Sequence, residues 1–66
     1  MPLIHVEMIE GRPEEKVSEL IRNITEVVSS TLDAPKEAVR VIVSEVPSTH
    51  WGVAGQTMAE KRAAVK

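Results

Sequence analysis

The sequence predicts an α+β fold, a small β-α-β unit followed by a C-terminal hairpin, and three observations carry that expectation. Residues 3 to 9 alternate, with Ile4, Val6 and Met8 on one side and Leu3, His5, Glu7 and Ile9 on the other, the two-residue period of a partly buried strand. Val17, Leu20, Ile21, Ile24, Val27, Val28 and Leu32 recur at helical spacing and form one apolar stripe. Residues 39 to 46 are rich in β-branched side chains and apolar at successive positions, as in a strand covered on both faces.

Each boundary has a local cause. Glu10-Gly11 ends the first strand, and Pro13 suits the first helical position, where a missing N–H costs nothing. Glu14 and Glu15 then put negative charge at the positive end of the helix dipole. About five turns later, Asp33-Ala34-Pro35 stops the helix, because a residue preceding proline avoids helical dihedrals. Residues 35 to 38 suit a short extra turn. A strand, one long helix and a second strand allow parallel pairing through a right-handed crossover. After Pro47, the segment Ser48-Thr49-His50-Trp51-Gly52-Val53-Ala54-Gly55 has turn and hairpin chemistry. A short helix is expected over residues 56 to 61, and the last eight residues or so, residues 61 to 66 among them, read as a loose tail.

Sixty-six residues make a single domain, residues 1 to 66, too small to bury much apolar surface. With no cysteine for a disulfide and only two histidines, association of subunits is the expected supplement to the core. A two-stranded sheet with a helix on one face leaves its other face and its edges bare, which points the same way. No basic segment precedes an apolar run at the N-terminus, and Val41-Ile42-Val43 is too short to cross a membrane, so a soluble, cytoplasmic protein is expected. Ten acidic and eight basic residues are spread without blocks, which gives nucleic-acid binding little support. No glycine-rich phosphate loop, dinucleotide fingerprint, metal-ligand cluster or nucleophile triad is present, and a reaction needing no cofactor and no metal is favoured.

A few residues stand out against this background. Pro2 follows the initiator methionine, and once Met1 is removed its nitrogen becomes a secondary amine able to accept a proton. Arg12 precedes a helix N-terminus, where a cation opposes the dipole; either it pairs with Glu14 or Glu15, or it is presented to an anionic substrate. Arg40 interrupts an apolar strand and needs a partner, either a carboxylate across a subunit interface or a ligand's carboxylate or carbonyl. Trp51 is the only aromatic residue and either anchors an oligomer interface or walls a water-excluding pocket. His5 and His50 read most simply as surface or hydrogen-bonded residues.

Taken together, Met1-Pro2, Glu10-Gly11-Arg12, Leu32-Asp33-Ala34-Pro35, Val39-Arg40-Val41-Ile42 and His50-Trp51-Gly52-Val53-Ala54-Gly55 resemble the 4-oxalocrotonate tautomerase family over nearly the whole chain. The resemblance implies two protomers forming a four-stranded sheet with helices on one face. It further implies a homohexamer, a trimer of such dimers, whose sites combine residues from neighbouring subunits. The implied reaction is cofactor-free keto–enol tautomerisation within aromatic hydrocarbon catabolism, on a small dicarboxylate or 2-hydroxydienoate such as 2-hydroxymuconate. Pro2 would act as general base, Arg12 would hold the distal carboxylate, and Arg40 would bind the other carboxylate and the adjacent oxygen. Trp51 would help keep the pocket apolar. An ordinary α-amino group titrates near about 8; guanidinium charge and desolvation would both shift Pro2 below that and favour the base.

Two positions depart from the family pattern. Trp51 stands where the prototype has phenylalanine, and Ala54 stands where glycine is expected in the turn. A wider indole and an added methyl would reshape the pocket, and the Trp51 change leaves room for a tautomerase of a specialised biosynthetic pathway. Hydration, dehalogenation or decarboxylation by a protonated Pro2 is a further alternative, for which Glu10 and Glu45 are the available carboxylates. A non-catalytic oligomeric binding module is the reading outside enzymes.

Overall fold

The computed structural model describes residues 1–64, and in it β1 (Leu3–Ile9) and β2 (Arg40–Val46) lie side by side, parallel, with Leu3 opposite Arg40 and Ile9 opposite Val46. Between them runs α1 (Glu14–Leu32), 19 residues or about five turns, with Pro13 as its N-cap and Glu14 and Glu15 in its first turn. Asp33 closes it in the left-handed region (φ 57°, ψ 37°). The N–H groups of Asp33 and Ala34 both donate to the Ser29 carbonyl, and Ser29 Oγ donates to Ala34 O at 2.6 Å. A 3₁₀ turn, Lys36–Ala38, then delivers the chain to β2. These elements follow the sequence-based expectation closely, except that Pro13 caps α1 in an extended conformation instead of opening it, and β2 starts one residue later than the apolar run.

Parallel register places Ile4, Val6, Met8, Val41 and Val43 on one face of the sheet, half-buried beneath α1. The opposite face carries Leu3, His5, Glu7, Arg40 and Ile42, all exposed, Leu3 by 62% and Ile42 by 49%. The expectation that β2 is covered on both faces therefore fails within one chain. The physical reason is that α1 occupies one face and the C-terminal segment packs chiefly on itself. The apolar stripe of α1 is likewise wider than a two-stranded sheet can cover. Strands spaced about 5 Å apart lie under a helix roughly 10 Å across, so Val27 (64%) and Leu32 (61%) stay exposed. Val39 is the one hydrophobic residue buried outright among the described residues.

The C-terminal segment begins with a 3₁₀ turn, Ser48–His50, and continues through β3 (Gly52–Val53), β4 (Gln56–Thr57) and α2 (Met58–Ala64). β3 and β4 pair antiparallel with Val53 opposite Gln56, so Ala54 and Gly55 form a two-residue turn, both with positive φ (54° and 84°). That is the type I′ requirement. α2 begins two residues later than expected because Gln56 and Thr57 are drawn into the hairpin. A reciprocal capping box sets its start: Glu60 N donates to Thr57 Oγ1 at 3.1 Å, and Thr57 N donates to Glu60 Oε1 at 2.8 Å. Residues 61 to 64 are helical rather than a loose tail, and the rest of that expected tail lies outside the described residues.

The resulting shape is open. The radius of gyration is 15.4 Å, against about 11 Å for a compact chain of this length. The accessible surface is 5004 Å², against roughly 4,200 Å² for a compact monomer of this mass. Among the described residues no helix is long and apolar enough to cross a membrane.

Candidate active site

Pro2 immediately precedes β1 and is half-buried, while Met1 is 89% exposed. The backbone N–H of Arg40 donates to the Pro2 carbonyl at 3.0 Å, extending the ladder one residue beyond the Leu3–Arg40 pair. The amino-terminal residue and the first residue of β2 are thereby fixed side by side. The Arg40 guanidinium is exposed and folds back along its own chain, Nη1 donating to the Glu37 carbonyl at 2.5 Å and more weakly to the Val39 carbonyl at 3.5 Å. Neither carbonyl neutralises its charge.

Arg12 stands at the other end of the sheet. Gly11 takes φ 132°, a conformation that L residues rarely adopt, and this bend separates Arg12 from the end of β1. Arg12 Nη1 donates to the Ile9 carbonyl at a long 3.3 Å. The expected pairing with Glu14 or Glu15 does not form. Among the described residues the ion pairs are Lys16–Glu19 and Lys36–Glu26, so Arg12 and Arg40 both keep unneutralised cations at the surface. Trp51 follows the Ser48–His50 turn, beyond the C-terminal end of β2, and is half-buried. Its carbonyl accepts the Met58 N–H at 2.7 Å, which ties the start of the hairpin to the start of α2.

Four sequence-derived residues thus divide into two groups. Pro2 and Arg40 are brought together at the amino-terminal end of the parallel pair. Arg12 and Trp51 lie beyond its carboxyl-terminal end, where Glu10 N also donates to Val46 O at 2.8 Å. The two ends are roughly 20 Å apart along a seven-residue strand. A single chain does not gather all four residues around one small molecule.

Both histidines take up hydrogen bonds, as expected. His5 Nε2 shares one with Ser44 Oγ at 2.9 Å, and His50 Nδ1 shares one with Thr49 Oγ1 at 3.0 Å. Among the described residues no group of three His, Asp or Glu side chains is gathered to hold a metal ion.

Sequence reasoning missed the surroundings of Arg40. Lys36, in the turn before β2, forms an ion pair with Glu26 of α1. The Glu26 carboxylate, first as hydrogen-bond acceptor and then as a charge, holds the Lys36 ammonium above the ordinary lysine value of 10.5. Residues ten apart and separated by a helix cap have no spacing signature, so only the fold could show this pair.

The chain as a whole is similar to known proteins in sequence and in fold. The family model described as "Tautomerase enzyme" matches residues 2–61. A 2-hydroxymuconate tautomerase from Pseudomonas sp. (strain CF600) is 40% identical over 62 residues, which cover 94% of this chain and 98% of that protein. TomN, a 4-oxalocrotonate tautomerase homologue in the tomaymycin biosynthetic pathway, is 47% identical with a TM-score of 0.92, over 94% of this chain and 95% of that one. A heterohexamer 4-oxalocrotonate tautomerase from Chloroflexus aurantiacus J-10-fl is 43% identical with a TM-score of 0.87, over 91% and 97% respectively. The β-α-β order with its C-terminal strand pair, the resemblance read from Pro2 to Gly55 and these full-length likenesses agree, and the chain is a member of the tautomerase family, an isomerase of the 4-oxalocrotonate tautomerase type.

Proposed function

We propose that this tautomerase ketonises a dienol diacid such as 2-hydroxymuconate, with the secondary amine of Pro2 as general base after removal of Met1. The observation that carries the reading is the 3.0 Å bond from Arg40 N to Pro2 O, which sets the future amine beside a strand that starts with an unneutralised arginine. Pro2 takes the proton of the enol hydroxyl and delivers a proton to a carbon further along the conjugated chain. Arg40 binds one carboxylate and the adjacent oxygen, stabilising the negative charge that develops there. Arg12 holds the distal carboxylate, and Trp51 supplies apolar wall. Because the ends of the sheet are so far apart, Arg12 and Trp51 reach the reacting molecule from neighbouring copies.

The open shape supports that assembly. The chain exposes about 800 Å² more than a compact monomer would, comparable to one partner's share of a standard interface. Pairing of protomers into a four-stranded sheet, and of three such dimers into a homohexamer, would cover the bare face around Leu3 and Ile42. The carboxylates available to the hydratase alternative share the far end of the sheet with Arg12, so a neighbouring copy that supplies Arg12 would supply them too. Glu45 lies opposite Met8 and Glu10 just beyond, both toward the end of the sheet away from Pro2 in the same chain.

A second reading keeps the chemistry and changes the substrate. The likeness to TomN, together with Trp51 where phenylalanine is expected, favours a dienol of a biosynthetic pathway. Ultraviolet absorbance of 2-hydroxymuconate and of monoacid dienols, followed with wild type, Pro2→Ala and Arg40→Ala, tests both readings. Mass spectrometry first establishes that the sample starts at Pro2. The expected result is about a 10²-fold or greater fall in kcat/KM for Pro2→Ala. Undiminished turnover in that variant sinks the mechanism, and preference for a monoacid dienol selects the second reading.

A further inference from the structure

The groups that hold Arg40 form a continuous path from the outer surface of α1. Glu26 pairs with Lys36, the first residue of the 3₁₀ turn. The turn is closed by Ala38 N donating to Pro35 O at 2.9 Å and Val39 N donating to Lys36 O at 3.1 Å. Its Glu37 carbonyl, directly after Lys36, accepts from Arg40 Nη1 at 2.5 Å, and Arg40 N in turn donates to Pro2 O at 3.0 Å. Of the two carbonyls that accept from the guanidinium, the nearer belongs to this turn.

Lys36 and Glu26 are themselves exposed, 58% and 54%, and solvent screening leaves such a pair little weight in global stability. Their effect is one of orientation. Fixing Lys36 to the helix limits rotation of the turn, and the direction of the Glu37 carbonyl decides where the guanidinium points. We propose that the Glu26–Lys36 ion pair is a positioning element for Arg40, acting through the Glu37 carbonyl and setting substrate affinity without touching substrate. The inference rests on the reading that Arg40 binds a substrate carboxylate.

Steady-state kinetics with 2-hydroxymuconate separate the possibilities, using the assembled protein as wild type, Lys36→Met, Glu26→Gln, the charge-reversed pair Glu26→Lys with Lys36→Glu, and Arg40→Ala. If the pair positions Arg40, Lys36→Met and Glu26→Gln each raise KM by about two- to fivefold, with kcat changing less, and the reversed pair restores KM. Raising ionic strength should then raise KM in wild type more than in Lys36→Met, because an exposed pair is screened. A direct effect of Lys36 charge on an anionic substrate gives the opposite pattern, since Glu26→Gln frees positive charge and lowers KM. That pattern, or an unchanged KM in both single variants, overturns the proposal. Arg40→Ala reports on the underlying reading separately. A large loss of kcat/KM there with no effect of the Lys36 and Glu26 variants rejects only the positioning role, whereas an unchanged Arg40→Ala rejects both.

Discussion

Replacing Ala54 by glycine should stabilise the protein, which runs against the usual cost of adding a glycine. Ala54 is the first residue of the two-residue turn between β3 and β4 and sits at φ 54°. A side chain bearing a Cβ costs about 1–2 kcal/mol in that region, and glycine removes the cost. Against it, glycine gives the unfolded chain more freedom, a loss of about 0.4–1 kcal/mol. The exposed methyl of Ala54 buries almost nothing, so packing contributes little to the balance. The net expectation is a gain of about 0.5–1 kcal/mol per chain, or roughly 2–8 °C in Tm for a domain of this size. Urea and thermal unfolding at one fixed protein concentration measure it, the fixed concentration being needed because association contributes to apparent stability. Ala54→Val serves as the converse, since a β-branched residue at positive φ is strained further and should lower Tm. A lower Tm for Ala54→Gly, or no loss for Ala54→Val, would refute the turn geometry from which the argument starts.

Three further outcomes are expected. Thr57→Ala removes the Oγ1 acceptor of the capping box, leaving the backbone N–H at that position to donate to Glu60, and should cost about 1 kcal/mol of local stability, read as faster hydrogen exchange of the Glu60 amide. Thr57→Ala and Glu60→Ala combined should cost less than the sum of the single changes. Ile42→Asp places a charge on the bare sheet face and should shift sedimentation toward smaller species; an unchanged assembly would show that this face is not the one covered. The pH dependence of the Lys36–Glu26 pair follows from the raised Lys36 value. Because folding raises it, the contribution to stability is fully present below the ordinary lysine value of 10.5 and disappears as pH climbs through the higher folded value. The difference in Tm between wild type and Lys36→Met, small for so exposed a pair, should therefore narrow in strongly alkaline buffer.

Much of the fold was legible because its signals are local. The alternation over Leu3–Ile9, the apolar stripe from Val17 and the stop at Asp33-Ala34-Pro35 each concern residues a few positions apart, and the elements formed where those signals place them. The start of α2 was less legible. A Thr57–Glu60 capping box is a readable pattern, but the hairpin competes for Gln56 and Thr57, and pairing with β3 decides the outcome. Arg12 illustrates a different limit. Spacing offered Glu14 and Glu15 as partners, yet Gly11 turns the backbone so that the guanidinium meets the Ile9 carbonyl.

The candidate site divides in the same way. Pro2, Arg12, Arg40 and Trp51 were recognisable as residues by type and by their likeness to a family, because chemistry and spacing are properties of the chain. Which of them meet is a property of the sheet. Parallel register set Arg40 against Pro2 and carried Arg12 to the far end, and that separation comes from the roughly 3.3 Å rise of each strand residue, not from distance in sequence. The Glu26–Lys36–Glu37 path to Arg40 likewise exists only once α1 has folded back against the turn before β2. The amino-acid sequence by itself determined the elements, the candidate residues and a core too small for one chain. Tertiary structure decided which candidate groups one chain can bring together, because only packing converts positions along a strand into distances across a site.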